Sequence, residues 1–215
     1  MNHAPSQHTR LRAKALTVPL ALLTLLLAAC AESEAEGEFD NWKEINDAYI
    51  DSIAAVAREN ADGSWTIYKT YNIGDNTGLD GDNKLYIYVQ VLEEGDGTYS
   101  PLYNDSVRVH YSGRILPSAS YPLGYQFGKS YNGSTLDTET DVPSLLAVSE
   151  NVPGFATALM YMVEGDRWRI IIPYYLAYGD ETNSSSTIPA YSTLIFDAIL
   201  AKIYRYQIDT NTDWY

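Results

Sequence analysis

Three His residues and one Cys are the whole imidazole and thiol complement of this 215-residue chain. His3 and His8 fall among the first ten residues, which leaves His110 alone in the remainder, and Cys30 has no partner thiol. A His-rich zinc site, a Cys-His dyad and an internal disulfide framework are therefore not expected. The acids of the turn-rich stretch from Gly74 to Asn83 invite a calcium reading, but their spacing does not fit an EF-hand loop. A solvated acidic turn is the expectation there. With 28 acidic and 14 basic residues the net charge is −14, and no cluster of Lys and Arg offsets it. Phosphate binding needs a basic surface, so nucleic acid is not an expected partner.

Cys30 has chemistry of another kind. Arg10, Arg12 and Lys14 precede an apolar run from Ala15 to Ala29, and no acid appears before Glu32. That run is short for a membrane span and matches the charged and apolar regions of a secretory signal. It ends Leu27-Ala28-Ala29-Cys30, which looks like a bacterial lipobox. Residues 1–29 would be removed and the Cys30 sulfur would carry diacylglyceryl, anchoring the chain to a membrane by lipid alone. Loss of residues 1–29 removes three basic residues and no acid, which takes the net charge from −14 to −17. Residues 30–39 alternate acids with small residues and read as a solvated tether. Acids directly after the lipidated Cys also resemble surface-export signals of some Gram-negative lipoproteins. The expected location is the cell envelope, at the outer membrane, facing either periplasm or cell surface.

Apolar residues make up 46% of the whole chain, which is enough for a buried core. Residues 40–83 form an extension. Asp40 can cap a helix running to about Asn60, with Trp42, Ile45, Tyr49, Ile53 and Val56 in one apolar stripe. The stripe is expected to dock on the following domain or on a second copy of the chain, and the oligomeric state stays open. Trp65 to Tyr71 reads as a strand. From Lys84 the texture changes to short alternating strands: Leu85–Val91, Val107–Tyr111, Trp168–Ile172 and Thr193–Ile203. In Val107–Tyr111 the period of two puts Val107, Val109 and Tyr111 on one face and Arg108 and His110 on the other, toward solvent. One short helix starts near Pro153, with Phe155, Leu159 and Met162 on a single face. Five or so antiparallel strands around one short helix make an α+β domain over residues 84–205, and 206–215 form a tail. Nineteen Tyr residues would suit a glycan-binding surface, but Tyr is a good strand former and that accounts for them.

Four segments in order carry a resemblance to a known family: Val109-His110-Tyr111-Ser112-Gly113, Val152-Pro153-Gly154-Phe155, Ile172 to Gly179 (Ile-Pro-Tyr-Tyr-Leu-Ala-Tyr-Gly), and Ile188 to Asp197 (Ile-Pro-Ala-Tyr-Ser-Thr-Leu-Ile-Phe-Asp). Together they resemble an FKBP-type peptidyl-prolyl cis-trans isomerase domain, over a little more than half the chain. The resemblance implies a curved antiparallel sheet wrapped round one short α-helix, with a hydrophobic pocket between them. It implies proline-containing unfolded or partly folded proteins as partners, and no cofactor or metal. Rotation about a peptide bond faces a barrier of about 18–20 kcal/mol, set by amide resonance that the twisted form loses. A pocket that strips water from the prolyl amide and binds the twisted form best lowers that barrier. Aromatic walls and one or two hydrogen-bond donors suffice.

Carried over by resemblance, Tyr111, Phe127, Tyr178 and Phe196 are the expected catalytic residues. Val152, Phe155, Ile188 and Asn151 are the expected substrate-binding ones. The Val152 N–H would meet a substrate carbonyl, and the Tyr178 hydroxyl would be a second donor. The chain also departs from the family. An acid usually follows the Phe at position 127, and here the run is Phe127-Gly128-Lys129-Ser130. Phe155 replaces a more common Trp, Asn151 replaces an aliphatic residue, and the stretch from Tyr111 to Phe127 is longer than in minimal members. The sequence thus leaves two readings: an isomerase assisting extracytoplasmic folding, or a catalytically weak or inactive FKBP-like binding or chaperone module of the cell envelope.

Overall fold

Strand Tyr86–Glu93 buries both of its faces: Ile87 and Val89 point one way, Tyr88 the other, and none of the three is exposed. A strand with two dry faces needs cover on both sides. The structure, a computed structural model, describes residues 37–73, 81–181 and 188–206 and supplies that cover from two helices. The expected signal sequence with Cys30, the expected tether up to residue 36, most of the acidic turn and residues 207–215 lie outside the described residues. No helix among the described residues is long and apolar enough to cross a membrane.

The elements in chain order are α1 (Trp42–Glu59), β1 (Trp65–Lys69), β2 (Tyr86–Glu93), β3 (Ser106–Arg114), β4 (Gln126–Lys129), β5 (Ser144–Ala147), α2 (Pro153–Tyr161), β6 (Arg167–Ile172) and β7 (Leu194–Tyr204). All pairings are antiparallel, in the order β1-β2-β6-β7-β3-β4, with β5 pairing β3 beyond the end of β4. The described residues thus hold seven strands where alternation marks five, because β4 and β5 have four residues each, too few to show a period. The sheet clasps α2, which is buried from Gly154 to Leu159 against Val89, Val109, Ile170, Ile172 and Leu200. This is the α+β arrangement of one short helix inside an antiparallel sheet that the resemblance implies.

Helix α1 lies on the opposite, outer face. Its Ile50, Ala54 and Ala57 pack on Tyr88 and Ile171. The buried face is Trp42, Asn46, Ile50, Ala54 and Ala57, not the expected stripe, since Ile45 and Val56 are about half exposed (47% and 46%). Two causes turn the helix. Ala54 and Ala57 allow a closer approach to the sheet than Ile or Val would. Asn46, fully buried, accepts a hydrogen bond from the Thr193 N–H (2.7 Å) and donates one to the Trp42 carbonyl (2.7 Å). The Trp42 indole N–H donates to Ser192 Oγ at 2.9 Å. Nor does Asp40 cap the helix: the cap position is Asn41, in left-handed backbone with no side-chain bond. At the other end Asn60 closes α1 and clamps the turn, exchanging hydrogen bonds with the Trp65 N–H and C=O. Glu38, assigned above to the tether, is held to the folded part by Ser118 Oγ (2.5 Å) and by the Ser120 N–H (2.9 Å).

His110 does not face solvent; it is 4% exposed. It does point to the outer face, as the alternation requires, but residues 130–141 fold over that part of the sheet. Asp137 and Asp141 shape this segment by accepting backbone N–H bonds from Glu139 (3.0 Å) and Asp137 (2.9 Å). Burial pushes the His110 imidazole below its usual pKa, partly opposed by Asp141.

The start of β3 and the end of β7 are joined through Asp105, whose carboxylate accepts from the Leu102 N–H (2.7 Å), the Tyr206 N–H (2.8 Å) and the Arg205 guanidinium (2.6 Å). Burial alone would raise its pKa, but these hydrogen bonds outweigh it and hold the carboxyl below 3.8. Asp105→Asn should cost about 2 kcal/mol at neutral pH, because two backbone amides and the exposed Arg205 guanidinium lose a buried charged acceptor. A carboxyl with a lowered folded pKa stabilises above its unfolded value and stops doing so as pH falls through the folded one. Urea denaturation should therefore show the gap between parent and variant closing below about pH 4.

Candidate active site

Gly113 on β3 lies against two aromatic rings. A Cβ there would sit 2.5 Å from the Phe127 ring and 2.9 Å from Cε1 of Phe196, so only glycine lets the rings reach the sheet. Gly113 pairs with Gly128 of β4 on one side and Phe196 of β7 on the other. Phe196 is the hub of the group. It stacks on Phe155 (centroids 4.4 Å apart), meets Phe127 edge-on (5.4 Å) and is tilted to Tyr111 (6.1 Å). Phe155 enters from the first turn of α2, which Pro153 starts with a fixed φ and no N–H to satisfy.

These four rings form the floor and walls of a cavity of about 310 Å³, closed by Tyr178, Val152, Asn151, Glu150, Leu146 and Gly128. Seven of the eight residues expected at the site from the sequence line it. Ile188 does not: it is fully buried in the main core. Leu146 and Glu150 were missed. Leu146 lies on a strand too short to read, whereas Glu150 directly precedes Asn151-Val152 and was within reach of that motif. Ser130, outside the cavity, sets Tyr111 in place: its Oγ accepts the Tyr111 N–H at 2.9 Å, and its own N–H donates to the Tyr111 carbonyl at 3.0 Å.

Three donors open on this cavity without an acceptor among the described residues. Val152 is the N-cap of α2; its carbonyl takes the N–H of Phe155 and Ala156, both at 3.0 Å, and its own N–H is unused. At the positive end of a helix that amide suits a carbonyl oxygen. The Tyr111 and Tyr178 hydroxyls are the other two. Burial, and then the nearby Tyr178, push the Tyr111 phenol above its usual pKa, so it keeps its proton at neutral pH. Tyr178 is 38% exposed at the mouth. Gly179, in left-handed backbone (φ 70°), anchors it by donating its N–H to Tyr174 and accepting the Tyr191 N–H, at 2.8 and 2.9 Å. Asn151 is not such a donor, because its side-chain amide turns back to the Ala147 carbonyl at 2.7 Å.

Gly128 is where the family's acid is missing. A Cβ there would be 3.5 Å from the Tyr111 ring and 3.6 Å from its hydroxyl, ordinary contact distances. The backbone would accept a carboxylate; without one the Tyr111 hydroxyl is left for whatever enters the cavity.

An antiparallel sheet clasping one helix, with a ring-lined cavity at the helix N-terminus, defines an FKBP-type domain. A family model described as FKBP-type peptidyl-prolyl cis-trans isomerase matches residues 97–201. The chain is 36% identical over 114 residues to a macrophage infectivity potentiator of Trypanosoma cruzi, covering 53% of this chain and 51% of that one. It is 33% identical over 114 residues to an FKBP-type 22 kDa peptidyl-prolyl cis-trans isomerase of Escherichia coli, covering 53% of this chain and 48% of the relative. Against FK506-binding protein 1 of Debaryomyces hansenii it is 30% identical over 115 residues, 54% of this chain and 92% of that protein. The chain spans about half the length of the first two relatives. The fold is shared with the crystal structure of a peptidyl-prolyl cis-trans isomerase from Pseudomonas syringae (TM-score 0.51, 23% identity, 76% of this chain and 96% of that one). It is shared too with that of FkpA from Escherichia coli (TM-score 0.51, 23% identity, 90% and 75%). The chain belongs to the FKBP-type peptidyl-prolyl cis-trans isomerases.

Because Gly113 has no room for a methyl group, Gly113→Ala should displace Phe127 or Phe196 and cost about 2 kcal/mol by overpacking. Urea denaturation would measure the loss, and the shifts should centre on the two rings in a methyl and aromatic NMR spectrum. Unchanged stability would mean that the rings yield freely and that the cavity is softer than its packing indicates.

Proposed function

We propose that the chain catalyses cis-trans exchange of X-Pro bonds in unfolded or partly folded proteins. The observation that carries this reading is the meeting of three unused donors, the Val152 N–H and the Tyr111 and Tyr178 hydroxyls, at one ring-lined cavity. Phe127, Phe155 and Phe196 surround the proline ring and exclude water from its amide. The Val152 N–H holds the carbonyl on one side of the rotating bond, and Tyr178 holds the backbone on the other. An amide that loses resonance on twisting is less in need of water than a planar one, so the dry pocket favours the twisted form. No bond is made or broken.

Gly128 favours a second reading, a binding module whose catalysis is weak. NMR exchange spectroscopy on short X-Pro peptides separates the two. Under the first reading the parent catalyses exchange and Tyr178→Phe loses about tenfold in kcat/KM, the worth of one hydrogen bond. A parent that binds peptide but does not speed exchange, with activity gained in Gly128→Asp, would establish the second.

The finer setting is also a proposal: Cys30 is lipidated after removal of residues 1–29, and the domain serves proteins folding in the envelope, at the outer membrane. The Leu27-Ala28-Ala29-Cys30 run supports it. Mass spectrometry of the chain expressed in a bacterium should find diacylglyceryl on an N-terminal Cys30, and Cys30→Ser should shift the protein from membrane to soluble fractions. An unmodified Cys30 in a full-length chain would refute it.

A further inference from the structure

The larger cavity of the domain, about 550 Å³, is on the other side of the sheet. It lies where α1 does not reach, between the outer faces of β3 and β7 and residues 131–138. His110, Ser112, Asp197 and Ile199 form its floor, and the overlying segment forms its wall.

Its lining differs from that of the aromatic pocket. The His110 ring is 4% exposed, and its Nδ1 is sealed from solvent with no hydrogen-bond partner. A buried imidazole nitrogen without a partner is rare in folded proteins, and this one lies in the floor of the cavity. Around it are five hydroxyls, those of Ser112, Tyr131, Ser134, Thr135 and Thr138, and none makes a side-chain hydrogen bond among the described residues. Each can donate and accept. The charges, by contrast, are already matched. Arg167 pairs with Glu93 at 2.7 Å, and Arg169 pairs with Asp197 through two bonds of 2.8 and 3.1 Å. Among the lining residues the two cations Arg114 and Arg167 are balanced in number by the two anions Glu93 and Asp197, and Arg114 donates to the Leu123 carbonyl at 3.4 Å. Such a lining gives little reward to an ion of either sign. Leu136, Ile199 and the Tyr131 ring add apolar surface beside the hydroxyls. The wall is held in shape from outside, since the Asp137 and Asp141 carboxylates accept hydrogen bonds from their own segment.

We propose that this outer cavity binds a neutral, polyhydroxylated ligand the size of a mono- or disaccharide. Ring hydroxyls would satisfy the uncommitted hydroxyls above the His110 ring, and the C–H faces would rest on Leu136, Ile199 and Tyr131. The volume is within the range of small-molecule sites. The same chemistry is offered by a free sugar and by a sugar unit of a polymer.

The test is an NMR titration of the full chain with glucose, N-acetylglucosamine, maltose and chitobiose, with glycerol as a simple-polyol control. The expected result is saturable shifts of the His110 ring and of residues 131–138 with at least one sugar. Binding should weaken roughly tenfold in a Ser134→Ala, Thr135→Ala, Thr138→Ala variant, whose exposed positions leave folding and X-Pro exchange unchanged. Tighter binding of a disaccharide than of its monosaccharide points to a polymer, and equal binding to a free sugar; both support the site. Absence of saturable shifts with every sugar, equal shifts with glycerol, or undiminished binding by the variant would overturn it.

Discussion

The pairing of β3 with β7 is the constraint on which the rest of the molecule depends. Over Val109–Arg114 against Ile195–Leu200 the register is unbroken, so Tyr111 lies beside Ala198 and Gly113 beside Phe196 on the inner face. On the outer face His110 lies beside Ile199 and Ser112 beside Asp197. Strand alternation makes these two sets inseparable. A slip of one residue would put Asp197 among the aromatic rings and Phe196 against the outer segment. The register shift between Arg108 and Val109 absorbs one extra residue of β7 and lets Leu200 and Ile203, three apart, both face the core. Aromatic pocket and outer cavity are thus two readings of one pairing, and neither can be moved without the other.

Within the aromatic pocket the decisive balance is between a carboxylate and a free phenol. A carboxylate at position 128 would accept the Tyr111 hydroxyl and orient it. With glycine there, that hydroxyl keeps its donor capacity for an incoming backbone, while the electrostatic field of the site loses a negative charge. On the proposed reading, desolvation of the prolyl amide depends on the rings and is unaffected, while hydrogen bonding to the twisted amide is redistributed. The chain therefore retains the larger, non-directional part of the site and changes the smaller, directional part.

Most of this domain was legible because its strands alternate and its pocket residues stand in motifs. Seven of eight candidate positions line one cavity, and the helix at Pro153 begins where its fixed φ and missing donor place it. What was not legible came from contacts distant in sequence. The stripe Trp42, Ile45, Tyr49, Ile53, Val56 and the observed face Trp42, Asn46, Ile50, Ala54, Ala57 both satisfy helical spacing. The choice between them rests on an amide that Asn46 caps 147 residues away. Period two correctly assigned His110 to the outer face, but it says nothing of what covers that face. The cover is an irregular segment with no period at all. Ile188 stands outside the cavity for a related reason: a motif fixes its place in the chain, while the core decides which way its side chain turns.

The same distant contacts tie the N-terminal extension to the site. Trp42 and Asn46 bond to Ser192 and Thr193, directly before β7. Phe196, the ring that touches Phe155, Phe127 and Tyr111, is three residues further on. A strand start is ordinarily free to fray, and fraying here would move Phe196 along with it. By supplying an acceptor to a buried backbone N–H and a donor to a buried hydroxyl, α1 removes that freedom at the cost of burying two polar groups of its own. Those groups are satisfied only in one arrangement, so they select a position for the helix that apolar packing alone would leave loose. The extension therefore contributes to the pocket without touching it, through the stiffness of the strand that carries the central ring.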